Sequence, residues 1–167
     1  MTIRRTLFAL GFLIAGCSVP QAQEQVIGGD PAPANAWATS CGSAARAAPA
    51  TCQLSQRAIS SQNRRLLAAV TLRFPAGGDP GLVITAPVGV SLRAGVTFDV
   101  DGGAKQTLPY EVCDRDGCYA SVPLSAELLN ALQAGQKLNI AVENPQKQVA
   151  TIPLSLAGFT AAYNSVR

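Results

Sequence analysis

From Trp37 onward the chain alternates short apolar-rich runs with clusters of turn residues. The runs Thr51 to Arg57, Leu66 to Phe74, Leu82 to Thr85, Val96 to Val100, Cys118 to Leu124, Leu138 to Glu143 and Val149 to Leu154 have strand length and composition. Seven or eight such strands predict a β-sandwich. The punctuation agrees: Pro75 to Gly81 interrupts two apolar runs, and Asp101-Gly102-Gly103 follows a strand with the residues a positive-φ hairpin turn needs. Ser125 is placed to cap a short helix over Ala126 to Ala134, with Gly135 at its C-terminal end. A second short helix is expected near Thr160, with Phe159 against the core. The expected fold is therefore all-β, with one or two short accessory helices.

The first 36 residues follow a different pattern. Arg4 and Arg5 form a positive n-region before Leu7 to Ala15, an apolar run of about nine residues, which suits a signal peptide and falls short of a membrane span of about 20. Leu13-Ile14-Ala15-Gly16-Cys17 fits a bacterial lipobox, so residues 1–16 are expected to be a lipoprotein signal and Cys17 a lipid anchor. An ordinary cut after Ala22 competes, although Pro20 fits poorly where a small residue is expected. Ser18 stands where aspartate commonly signals inner-membrane retention, which favours periplasmic display from the outer membrane. Arg4-Arg5 also resembles a twin-arginine signal, but Ile3 occupies a position usual for Ser or Thr. Residues 17–36, rich in Pro, Ala, Gln and Gly, read as a flexible tether with a reach of roughly 25 Å. Residues 37–167 are expected to form one domain.

Charge changes little once the leader is set aside. Removing Arg4 and Arg5 from 13 basic residues leaves 11 against 10 acidic ones, so the basicity belongs mostly to the signal. No basic stripe suits phosphate neutralisation, and nucleic acid is not an expected partner.

Five cysteines cannot all pair in an oxidising compartment. With Cys17 assigned to lipid, Cys41, Cys52, Cys113 and Cys118 remain. Cys41 and Cys52 enclose ten residues and Cys113 and Cys118 four, so local pairing is the economical choice among three connectivities. The alternatives are a redox-active pair and a zinc site. The spacings depart from Cys-x-x-Cys redox motifs and from zinc knuckles, and no metal or cofactor is expected.

The chain has no histidine, which removes the commonest general base and the usual Ser-His and Cys-His arrangements. Close acidic pairs are limited to Asp99 with Asp101 and Asp114 with Asp116. Their bland readings are a turn aspartate beside an exposed strand residue, and a solvated charged loop. Asp99-Val100-Asp101-Gly102 resembles the start of a calcium loop, but no downstream acid completes it. No catalytic residue is assigned.

Several segments together resemble the invasion-associated locus B proteins of Gram-negative envelopes. They are Trp37 with Cys41 and Cys52; Ala86 to Val90, Gly95-Val96 and Asp101-Gly102; Leu108-Pro109-Tyr110 with Cys113 and Gly117 to Ala120; and Ile152 to Phe159. The resemblance covers about residues 37 to 167 and implies an immunoglobulin-like β-sandwich exported to the periplasm or envelope, with no established enzymatic activity. The founding member's link to host-cell entry is not carried over. The lipobox is not required by the resemblance, and the Ala-rich stretch from Gly42 to Thr51 has the character of a variable loop.

The function expected is a non-enzymatic envelope module that binds a protein or cell-surface polymer through loops or a sheet face. Its candidate loop is Asp114, Arg115 and Asp116 with Tyr119, flanked on the other side by Tyr110. Tyrosines give contact area with a polar handle, and both are equally suited to the core. The alternatives are a periplasmic enzyme inhibitor and a redox or hydrolytic enzyme with an unusual histidine-free site.

Overall fold

A computed structural model describes residues 36–43, 45, 48–75 and 77–166. The signal peptide, Cys17 and the tether up to residue 35 lie outside the described residues.

The order along the chain is β1 (Ala38–Gly42), β2 (Thr51–Ile59), β3 (Leu66–Phe74), β4 (Gly81–Ala86), β5 (Val96–Val100), β6 (Gln106–Leu108), β7 (Val112–Cys113), β8 (Cys118–Pro123), α1 (Ala126–Ala134), β9 (Lys137–Glu143), β10 (Val149–Ser155) and α2 (Phe159–Asn164). The strands form two antiparallel sheets, one ordered β1-β2-β3-β4-β8-β7 and the other β10-β9-β5-β6. The chain crosses between sheets after β4, after β6 and through α1, which places β8 between β4 and its hairpin partner β7.

Alternation fixes the two faces. Leu54, Val70, Leu72, Leu82, Ile84 and Ala120 point inward from the larger sheet and meet Val96, Phe98, Leu138, Ile140 and Leu154 of the smaller one. Because a strand's side chains have period two, a one-residue slip would turn each of these rows to solvent. Leu128 and Leu132 of α1 and Phe159 and Tyr163 of α2 extend the same core. Trp37 packs edge-to-face on Phe159 at 5.0 Å and 66°, and its indole N–H donates to the Ser155 carbonyl at 3.2 Å. The described core runs from Trp37 to Tyr163 and both disulfides lie within that span, so the described residues 37–166 pack around one core.

Two glycine positions show different physics. The β5–β6 turn has positive φ at Asp101 (52°) and Gly102 (77°), as the sequence predicts. Gly135, after α1, has a φ of −79° and so is not a left-handed cap. Glycine is needed there for space, since a Cβ would collide with the Val100 side chain. Ser125 caps α1 as expected, its Oγ accepting from the Leu128 N–H at 3.1 Å.

The register gathers the segments 60–65, 87–95, 109–111, 114–117 and 144–148 at one end of the sandwich. The other end carries 43–50, 75–80, the 101–105 turn and the two helices.

Candidate functional site

The four cysteines pair as the spacing suggests, Cys41 with Cys52 and Cys113 with Cys118. Each pair is a directly opposed cross-strand position, Cys41 against Cys52 and Cys113 against Cys118. The two bonds hold β1 and β7, the outermost strands of the six-stranded sheet. Every residue of both strands is exposed, so neither strand gains much from hydrophobic burial. A cross-link supplies what the core does not.

The candidate loop is the tip of the β7–β8 hairpin. One carboxylate oxygen of Asp114 accepts from the Asp116 N–H at 2.8 Å, the Gly117 N–H at 3.1 Å and the Tyr119 hydroxyl at 3.2 Å. The hydrogen bond from the Asp116 amide, with the others behind it, holds the Asp114 carboxyl below its ordinary value. Partial desolvation, reinforced by the bond to Asp114, raises Tyr119. Asp114 thus serves the turn, while Arg115 and Asp116 project outward as an exposed pair at 3.8 Å. Gly117 is buried beneath them because an added Cβ would lie 2.6 Å from the Ala86 carbonyl oxygen.

Tyr119 connects this loop to the outer face of the larger sheet. The register sets Arg57, Ala69, Thr85, Tyr119 and Val112 in one row and Ser55, Thr71, Val83 and Ser121 in the next. The central strands β3 and β4 carry short side chains there, with longer ones to either side. The result is a trough of about 270 Å³ lined by Gln53, Ser55, Gln56, Arg57, Leu66, Ala69, Thr71, Thr85, Asp116 and Tyr119. Its surface is shared about equally between hydroxyl, amide and charged groups and apolar atoms, and its two formal charges, on Arg57 and Asp116, have opposite sign. Two of the four residues picked out in the candidate loop, Asp116 and Tyr119, belong to this trough; Arg115 lies beside it and Asp114 supports it.

Tyr110 is not part of this surface. It packs against the core with its hydroxyl buried and without a hydrogen-bond partner, and desolvation pushes its pKa up to about 12.

The other acidic pair is also built into the fold. Asp99 is buried rather than an exposed strand residue, because its carboxylate accepts from the Gly102 N–H at 2.6 Å and the Asn139 amide at 2.8 Å. Asp101 accepts from the backbone N–H groups of Gln136 and Lys137, each at 2.8 Å, tying the hairpin to the end of α1. These two aspartates line a cavity of about 390 Å³ beside α1, with Glu127 at its rim. Their oxygens are turned to the protein's own amides. Among the described residues no three His, Cys, Asp or Glu side chains group to hold a metal ion.

These features define a class, the small antiparallel β-sandwich stapled at its sheet margins, with an open polar trough on one outer face. The sequence profile of the Invasion associated locus B (IalB) protein family matches residues 37–167, and the chain belongs to that family. Proteins of the family are envelope-associated. Among solved structures, the chain is similar to invasion associated protein B from Bartonella henselae, with a TM-score of 0.68 and 24% identity over 78% of this chain and 89% of that one. At that identity the likeness is one of fold. No curated protein matches the chain significantly. No helix among the described residues is long and apolar enough to cross a membrane.

Proposed function

We propose that this protein is a non-enzymatic envelope module that holds an extended segment of a protein or cell-surface polymer in the outer trough of its six-stranded sheet. The observation that carries this reading is the trough itself, a low floor of Ala69, Thr71 and Thr85 between Gln53 and Arg57 on one side and Asp116 and Tyr119 on the other. Such a lining offers many hydrogen-bonding groups with apolar surface between them, as suits recognition of a backbone or of a chain that carries hydroxyls on an apolar ring or frame. Inhibition of a periplasmic enzyme would use the same surface and differs only in the partner's identity. A redox role finds less support, since the bond staples an edge strand of the sheet and Cys118 is buried, although Cys113 is exposed. The proposed location is the periplasm, with Cys17 acylated and the domain tethered to the outer membrane.

Photo-cross-linking in intact cells tests the reading. A photoreactive residue replacing Arg57 should yield adducts, and one replacing Thr151, exposed on the other sheet, should not. Equal yields from both positions, or none from position 57, would remove the trough. The same mass spectra report the mature N-terminus. An acylated Cys17 supports the anchor, and a chain beginning at Gln23 refutes it.

A further inference from the structure

The loop end of the sandwich carries a surface that the trough does not explain. All six large hydrophobic side chains exposed among the described residues, Ile59, Leu67, Val88, Leu92, Val112 and Val149, lie at or beside this end. Leu92 and Val149 are 60% and 63% exposed. Exposed apolar side chains are ordinary when scattered and informative when gathered. Here each of the principal tips also carries a cation: Arg64 and Arg65 in 60–65, Arg93 beside Leu92, Arg115 in the hairpin, and Lys147 beside Val149.

Two carboxylates at the same end are taken up internally, Asp114 by its own turn and Glu111 by the Ser121 hydroxyl, while Asp116 faces Arg115 as an exposed pair and Glu143 stands at the end of β9 opposite Val149. Arg64, Arg65, Arg93 and Lys147 have no carboxylate partner among the described residues. Two of them stand on left-handed backbone, Arg64 at φ 56° and Lys147 at φ 62°, where a long side chain is disfavoured and glycine would be relaxed. Apolar prongs ringed by unpaired cations are the pattern of a surface that meets lipid, in which the prongs enter the acyl boundary and the cations meet headgroup phosphates.

We infer that this end of the domain docks on an anionic bilayer surface. A neutral apolar partner would leave four unpaired cations buried against it, whereas a bilayer boundary takes the apolar prongs and supplies phosphate to the cations together.

Residues 37–167 should co-sediment with vesicles of phosphatidylethanolamine and phosphatidylglycerol, and not with phosphatidylcholine vesicles. Each surface cation is worth about fivefold in partitioning, so neutralising three should cost roughly a hundredfold and the R64E/R65E/R93E variant, which also adds three repelled charges, more than that. High salt should weaken binding by screening. Val88→Ser with Leu92→Ser should also release the domain, while its melting temperature stays at the parent value because both side chains are exposed. Failure to sediment with the anionic vesicles, equal binding to phosphatidylcholine, or indifference to charge reversal overturns the inference. So does a photoreactive residue at position 92 that captures a protein in cells while vesicle binding is absent. Arg57→Ala should leave vesicle binding intact, which keeps the fate of this surface separate from that of the trough.

Discussion

Replacing Phe159 with Ala tests whether α2 is part of the core or an appendage to it. Phe159 has no exposed surface, meets Trp37 edge-to-face at 5.0 Å and stacks on Tyr163 at 6.1 Å. Truncating a buried phenylalanine costs about 3–5 kcal/mol, from lost transfer energy plus the cavity left behind. A six-residue helix near the chain's end can settle into part of that cavity, which places the expected loss near the lower figure, about 3 kcal/mol. For a domain of this size that lowers the melting temperature by roughly 10 °C. Urea unfolding followed by far-ultraviolet circular dichroism measures the loss. The fluorescence of Trp37, the chain's one tryptophan, should shift to the red in the folded variant because its ring loses an apolar neighbour. A loss below about 1 kcal/mol with unshifted emission would refute the reasoning, since that is the size of an ordinary surface change.

Gly117→Ala should cost about 1–3 kcal/mol by overpacking, because the new methyl meets the Ala86 carbonyl oxygen and Thr85 Cγ2 at 2.6 and 2.8 Å; denaturant midpoints check it. Tyr110→Phe removes a buried, unpartnered hydroxyl and should leave stability at neutral pH unchanged or raised, as read by thermal melts. The parent's Tyr110 has a folded pKa of about 12 against an ordinary 10.0, so its protonated ring contributes fully below pH 10 and that contribution is lost as pH rises toward 12. Alkaline melts of the variant should therefore fall less over that window. Asp114→Ala should speed amide exchange at Asp116 and Gly117, whose N–H groups lose their acceptor, while exchange in β3 and β4 stays unchanged. Since Asp114 has a lowered pKa, the parent's turn should loosen as pH falls through that value and stay firm above it.

The sequence-based reading followed burial. Strands with one face in the core, such as Leu66–Phe74 and Val96–Val100, are legible to the residue because packing imposes a pattern on them. The strands β1, β6 and β7 have exposed or half-exposed residues throughout and carry no such pattern; only pairing with a neighbour defines them. Asp99 reads as an exposed strand position until the turn donates the Gly102 N–H and β9 the Asn139 amide. The trough is invisible for a related reason. Ser55, Thr71 and Thr85 look like any solvent-facing strand positions, and only the order β2-β3-β4-β8 brings them beside Tyr119. The Cys113-to-Cys118 spacing, by contrast, points directly to the hairpin whose tip forms one wall.

Under the proposed anchoring through Cys17, the staple between Cys41 and Cys52 gains a mechanical meaning. Any pull through the preceding segment meets Trp37 first, held on Phe159 and the Ser155 carbonyl, and once that contact gives way it reaches β1, an exposed margin that would open pair by pair from Ala38 against Ser55, through Thr39 against Leu54, to Ser40 against Gln53. At Cys41 the opening meets a covalent bond and stops. Load then passes to β2, whose Leu54 is locked in the core and whose pairing with β3 spans most of its length. Under such anchoring the residues between Trp37 and Cys41 would act as a short extensible lead, and the bond behind them as the point where traction becomes a load on the whole body.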